Sequence, residues 1–441
     1  MPIDLDRFSK ACNPGQTLNY ANPQERRYYI DFSSVRGANL IQELKRTIVL
    51  LSDRTCQLFT GHVGCGKSTE LLRLKAELEE LGFYVVYFVS SEDLDMSDVD
   101  VTDILMAIAH QVSEKLESDR IRIRPNYFIN LFSEIGDLLQ TPIEFSQVEF
   151  SVGISKITAR AKDSPRLRSQ LRQFMEPRTN GIIKAINQEL LGQATQELQR
   201  RGKRGLVVII DNLDRVDARQ LQTGRTQPEY LFIDRGDQLS NLNCHVVYTI
   251  PLALVFSNEN ETLRLRLGNG IAPLVLPMVP VRTRDGTPLG EGIHLLRHMI
   301  LARAFPDIKP SQRLEQISEL FDSRDTLDRL CLVSGGHVRN LLGLVQGCIR
   351  QSDPPFSREI VERVIQNSRD FTARSIDGEE WQLIFQVVEQ QNVRGDIEYQ
   401  MLLRSMFVFE YQDAQGTWYA INPVLAETKR YQDWVRSRKA E

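Results

Sequence analysis

The chain has 441 residues, 41% hydrophobic and 25% charged, and its 54 Lys and Arg against 58 Asp and Glu leave a net charge of −4. At roughly 150 residues per domain this predicts about three domains of ordinary globular composition. It excludes a globally basic nucleic-acid coat, although a local basic patch remains compatible with it.

No apolar run approaches the ~20 residues of a membrane helix. The N-terminus, Met1-Pro-Ile-Asp-Leu-Asp-Arg7, has neither a secretory nor a transit pattern. The cysteines at 12, 56, 65, 244, 331 and 348 form no CxxC pair, so neither a disulfide framework nor a zinc site is expected. The expectation is a cytoplasmic protein with reduced thiols and no membrane partner.

Residues up to about 38 read as irregular and aromatic. A helix is predicted over 38–51, where Leu40, Ile41, Leu44 and Ile48 keep helical spacing. A strand over 55–60 runs into glycines. Then follow a helix over 68–81, a strand over 83–89 and a helix over 102–116. Further strands are predicted over 205–210, 245–250 and 272–276. Apolar strands without polar alternation, interleaved with helices, predict an α/β fold with a doubly wound parallel sheet.

The stretch 119–204 is longer than the βα units around it require and reads as an insertion. From Arg120 to Arg204 it holds 15 Lys and Arg against 8 Asp and Glu. Its alternation over 144–157 predicts a hairpin, and the run from Arg166 to Met175 a helix. An arm packed on the core is favoured over a surface for an acidic partner. Beyond Ile293 the pattern is helical to about Arg350, and Pro354-Pro355 marks a boundary. The remainder reads as helices, then a ribbon from Leu403 to Tyr411, a turn to Gly416, and a second strand from Thr417, as in a winged helix.

The strongest motif is Gly61-His62-Val63-Gly64-Cys65-Gly66-Lys67-Ser68, followed by Thr69, lying after a strand and opening a helix. Glycines let such a loop curl so that amides face phosphate oxygens, and the helix N-terminus adds positive potential. Lys67 is expected to reach the β- and γ-phosphates and Ser68 to ligate Mg²⁺, which takes oxygen donors. The Cys65 thiol is expected to react with alkylating agents in that positive field.

A second signal is the apolar run Leu206 to Ile210 that ends in Asp211-Asn212-Leu213-Asp214-Arg215. A carboxylate at the end of a buried strand suits the second Mg²⁺ contact, so Asp211 is expected in that role. Hydrolysis also needs a group that handles the attacking water. Asn212 can position water but cannot take its proton; Asp214 is the nearby carboxylate, and a helix cap or a pair with Arg215 is its competing role.

These motifs together resemble the AAA+/STAND class of P-loop ATPases. The resemblance implies ATP with Mg²⁺ as ligands, ATP hydrolysis, and homo-oligomerisation in the ATP state. It implies that Val35, Arg36 and Ile41 line the adenine side and that Thr249 occupies the sensor-1 position. It further implies that Arg339, in Ser334-Gly-Gly-His-Val-Arg339, acts as the sensor-2 arginine of a helical lid. Asn212 stands where many members carry an acid, which argues against fast turnover; the Asp-Asn-Leu-Asp-Arg run is also similar to the KAP-type P-loop group. Arg235, Arg264 and Arg266 are candidates for an arginine acting in trans.

The organisation implied is an adenine-side segment over 1–38, a P-loop core over 39–285, a helical lid over 286–353, and a winged-helix-like domain over 354–441. The leading functional expectation is a nucleotide-dependent switch that moves its lid and winged helix to control self-assembly or a protein partner. The alternatives are a DNA-binding ATPase similar to replication-initiator or transposition-regulator proteins, and a nearly inactive nucleotide-binding adaptor. His294 and His298 have zinc-ligand spacing, but a packing role is favoured because no third ligand is evident. Trp381 and Phe385 are expected in a core, whereas Trp418 and Tyr419 are expected to alternate between core and solvent.

Overall fold

Five of the apolar runs become the strands of one sheet in the computed structural model, which describes residues 3–51, 53–123, 125–138 and 164–440. They are β1 (Cys56–Gly61), β2 (Tyr84–Val89), β3 (Leu206–Asp211), β4 (His245–Thr249) and β5 (Leu274–Leu276), in the order β2-β3-β4-β1-β5. The pairs β2–β3, β3–β4 and β4–β1 are all parallel. Every residue of β1, β3 and β4 is buried, which explains why none of them alternates with polar residues. The hairpin expected over 144–157 lies outside the described residues.

The chain forms two compact units, one of Ile41–Thr60 and Leu74–Val275, the other of Met1–Leu40, Gly61–Arg73 and Leu276–Glu441. In the first, the helix Val101–Ser118 begins at a reciprocal cap between Asp100 and Asp103 and lays Ile104, Leu105, Ile108 and Val112 into the sheet's core. The inserted helices Asn126–Leu138 and Pro165–Met175 contribute Phe128, Ile135, Leu171 and Met175 to the same core. Arg168 pairs with Asp95, and Arg172 with Asp98 at 3.1 Å and Asp100 at 3.2 Å. These inserted arginines are therefore held by the chain's own carboxylates.

In the second unit, the helices Gly290–Ala304, Arg324–Val333 and Val338–Ile349 fall in the all-helical stretch expected after Ile293. They are followed by Arg358–Ala373, Gly378–Gln390 and Ile397–Arg404, then by the antiparallel hairpin of β6 (Val408–Asp413) and β7 (Gly416–Ile421). Three helices followed by a hairpin is the element order expected of a winged helix. Trp381 and Phe385 are buried, and Phe385 stacks on Trp434 at 4.6 Å.

Three expectations need correction. The N-terminal stretch is not wholly irregular: Asp4 accepts from the Arg7 N–H and caps a helix, Leu5–Ala11, whose Phe8 is buried. The ribbon begins at Val408, because residues to Arg404 complete a helix. Trp418 and Tyr419 do not alternate; both are buried, since Trp418 stacks on Tyr411 at 4.6 Å while the backbone of Tyr419 bonds to the Gln391 carbonyl.

Candidate functional site

The loop after β1 is shaped by what happens to its carbonyls. Lys67 Nζ donates to the Gly61 carbonyl at 2.8 Å and the His62 carbonyl at 3.0 Å. His337 bonds the Val63 carbonyl at 2.8 Å, and the Arg339 N–H bonds that of Gly64 at 3.2 Å. Arg36 donates to the Cys65 carbonyl at 2.7 Å, and the Glu70 N–H to that of Gly66 at 3.1 Å. Every carbonyl from Gly61 to Gly66 thus has a donor. In a planar trans peptide the N–H points opposite to the C=O, so fixing the carbonyls also fixes the amide directions. A run of such amides at a helix N-terminus is an anion cradle.

Gly64 has a positive φ of 87°, and a Cβ there would lie 2.8 Å from both His337 and Arg339. The helix Val338–Ile349 consequently starts directly on the loop. Asn340 donates its N–H to His337 Nδ1 at 2.9 Å, which leaves the proton on Nε2 for the Val63 carbonyl. Burial drives His337 down to about 4, so this neutral tautomer is the stable form. Gly336 is equally constrained, because a Cβ would come within 1.6 Å of the Val279 carbonyl oxygen.

His62 is buried and faces the hairpin. Its Nε2 accepts from the Glu410 N–H at 3.0 Å, and its ring meets Phe409 edge-on at 5.9 Å. Phe409 also stacks on His337 at 5.7 Å. Cys65 is fully buried, with its Sγ 3.2 Å from where a Cβ on Gly61 would stand. The expected reactivity toward alkylating agents is therefore not met: the thiol is walled in. Val63 is exposed, and Ser68 and Thr69 are half-buried at the start of the helix Lys67–Glu80.

Behind that helix start lies a polar group the sequence did not reveal. Glu70 is buried and its carboxyl is raised by burial, against the pull of Arg36 and Arg73. Its oxygens lie 3.2 Å from the Tyr29 hydroxyl, and Arg73 donates to that hydroxyl at 2.6 Å and to Asp31 at 2.9 Å. Val35 and Arg36 of the expected adenine side are both buried, as is Ile41 in the other unit.

In the unit that holds most of the sheet, Asp211 ends β3 with 1% exposure. Its Oδ1 accepts from the Asn212 N–H at 2.7 Å and its Oδ2 from the Tyr87 hydroxyl at 2.7 Å. Asn212 adopts the left-handed conformation (φ 61°), which asparagine tolerates better than most residues. That backbone demand is a physical reason for an amide here. Asp214 lies in the following 3₁₀ turn, Leu213–Arg215. Thr249 is fully buried; its hydroxyl donates to the Ile210 carbonyl at 3.1 Å and accepts from the Leu213 N–H at 2.9 Å. Ile210 pairs with Tyr248, and Phe59 with Thr249, so the ends of β1, β3 and β4 lie level along one edge of the sheet.

Arg235 donates to Glu176 at 2.5 Å, Arg264 to the Gly270 carbonyl at 2.6 Å and Arg266 to the Ile233 carbonyl at 3.4 Å. His294 and His298 meet ring to ring at 4.5 Å, and among the described residues no group of three or more ligand side chains could hold a metal ion.

A sheet ordered 2-3-4-1-5, with a glycine-lysine loop after β1 and an acid ending β3, decides the architecture. This is the α/β fold of a P-loop core, a parallel sheet interleaved with helices. No protein-family model matches the chain, and no curated protein matches it significantly. Among solved structures it is similar to Thermotoga maritima RuvB T158V, at 12% identity and a TM-score of 0.37, over 96% of this chain and 99% of that one. It is also similar to a Walker-type ATPase of Pyrococcus abyssi, at 13% identity and a TM-score of 0.41, over 87% and 94% of the two chains. A third is the Aeropyrum pernix ORC1 protein in complex with DNA, at 14% identity and a TM-score of 0.34, over 90% and 94%.

Proposed function

We propose that the chain is an ATP-binding switch of the AAA+/STAND type that hydrolyses ATP slowly. Lys67 and the loop amides would hold the β- and γ-phosphates. Ser68 and Asp211 are oxygen donors of the kind Mg²⁺ takes, and they would hold that ion, which screens phosphate charge when bound. Val35, Arg36 and Ile41 would form the adenine side. Asn212 would orient the attacking water, with Asp214 the carboxylate available to take a proton. Thr249 would act by bracing the turn after Asp211, and Arg339 by carrying the state of the loop into the lid.

The observation that carries this reading is the run of six anchored carbonyls from Gly61 to Gly66, three of whose donors (Arg36, His337 and Arg339) come from beyond both the motif and the helix it opens. A loop gripped by the lid's own residues couples phosphate occupancy to lid position. Nucleotide can shift such an equilibrium only if the two lid positions bind it differently. The switched property would be self-association or a protein contact in the ATP state, reset by hydrolysis to ADP. The helix preceding the hairpin, Ile397–Arg404, exposes Ile397 and Met401 with one arginine, Arg404, which favours a protein partner over DNA readout. Six unbridged, buried cysteines suit a reducing cytoplasm, and among the described residues no helix is long and apolar enough to cross a membrane.

The test is ATP affinity, phosphate release and sedimentation with ATP, ADP or no nucleotide. Lys67→Ala is expected to abolish binding, and micromolar affinity retained in that variant would refute the assignment. Phosphate release below about one per hour, against the ~1–10³ per second typical of enzymes, would favour the adaptor reading. Steeply salt-dependent duplex binding would favour the DNA reading.

A further inference from the structure

We propose that Tyr87 is the positioning residue of Asp211, holding its carboxylate in the orientation that receives Mg²⁺. The inference rests on the reading of Asp211 as a metal-side acid. Tyr87 pairs with Ile209 and Val89 with Asp211 in the β2–β3 register. Side chains alternate along a strand, so Tyr87 and Asp211 lie on the same face of the sheet, two residues apart along the strand direction. That separation is about 6.6 Å of rise. A phenol spans it; serine, threonine or asparagine would fall short.

The hydroxyl has no packing reason to exist. β2 reads Tyr-Val-Val-Tyr-Phe-Val, and phenylalanine would fill the same space at 87. The other tyrosine, Tyr84, spends its hydroxyl elsewhere, on the Lys115 carbonyl at 2.9 Å and Asp119 at 2.7 Å. Tyr87 instead donates to Asp211 Oδ2 at 2.7 Å, while the Asn212 N–H holds Oδ1 at 2.7 Å.

A carboxylate offers about four lone-pair positions, so two donors fix its plane and still leave one position on each oxygen for a metal-bound water. Partners of this kind orient the ligand and tune its basicity, and their loss typically costs roughly 10–100-fold in metal affinity.

The experiment titrates Mg²⁺ into the full chain with a fluorescent N-methylanthraniloyl ATP as probe, comparing wild type, Tyr87→Phe and Asp211→Asn. Probe affinity in EDTA is measured alongside, with thermal unfolding as a control. Tyr87→Phe is expected to fold, to bind the probe in EDTA as wild type does, and to raise the Mg²⁺ half-saturation about tenfold. If Asp211→Asn shifts that half-saturation and Tyr87→Phe stays within about twofold of wild type, the proposal fails and the assignment of Asp211 stands. If neither variant shifts it, Asp211 itself is misassigned. Loss of cooperative unfolding in Tyr87→Phe would make the hydroxyl a stability element and overturn the proposal.

Discussion

The backbone N–H of Glu410 donates to Nε2 of His62 across 3.0 Å, so a strand of the C-terminal hairpin grips a side chain of the glycine-rich loop. Phe409, one residue earlier, packs against both His62 and His337. The loop, the start of the helix Val338–Ile349 and the hairpin therefore share one buried contact, through which a displacement of any of them reaches the other two.

Glu410 gives this contact a pH dependence. Its buried carboxyl is pushed from an ordinary 4.5 up to about 7 by desolvation. The folded protein thus holds a proton that the unfolded chain releases, a contribution complete below about 4.5 and lost as pH rises through about 7. Glu410→Gln mimics the protonated form. Its stability relative to wild type should climb between pH 5 and pH 8 by on the order of 2–3 kcal/mol. His62 and His337, lowered by burial to about 3 and about 4, act oppositely in acid but cancel in the comparison. Urea unfolding at several pH values checks this; a constant difference between the two proteins would refute it.

His337 does two jobs that substitution can separate. As the residue before the helix Val338–Ile349 it accepts the Asn340 N–H, and through Nε2 it holds the Val63 carbonyl. Asparagine keeps the first role and loses the second; alanine loses both. His337→Ala should be less stable than His337→Asn by ~1 kcal/mol, the usual worth of such a cap. Both should weaken ATP binding by similar factors. Calorimetry and nucleotide titration check the two halves separately, and unchanged affinity in both variants would detach His337 from the loop.

Thr249 supplies the acceptor for the buried Leu213 N–H. Thr249→Val would strand that group, at a cost of about 1–3 kcal/mol, whereas Thr249→Ser retains the oxygen. The valine variant should also lose phosphate release, because the turn carrying Asn212 and Asp214 would be unbraced. Full turnover in Thr249→Val would dismiss the bracing role.

The sheet was legible in the sequence because both of its faces are covered: apolar runs of five or six residues, interrupted by glycine and charged segments, allow little else. The loop was legible because its chemistry dictates its spacing. Tyr87 was hidden, since a tyrosine in an apolar strand looks like core until the register brings its hydroxyl to Asp211. Glu410 and Tyr29 were hidden for a related reason: each meets the loop or its helix from far away in the chain, and no local pattern marks such encounters. The N-terminal helix was missed although Asp4, Leu5 and Phe8 carry a cap and an apolar spacing, because one short turn of pattern is outweighed by the prolines and glycine that follow. Trp418 and Tyr419 defeated the alternation rule because both sides of the hairpin are occupied.

The thirteen residues of Gly61–Arg73 cluster with Leu276–Glu441 rather than with the strand they continue. No single cut in the gene can therefore excise either unit, and no single crossover can exchange one. A chimaera joined at residue 275 would inherit its loop from one parent and His337, Arg339 and Glu410 from the other. Inheritance of the loop and the C-terminal third is bound together, and a change in either selects for a matching change in its distant counterpart.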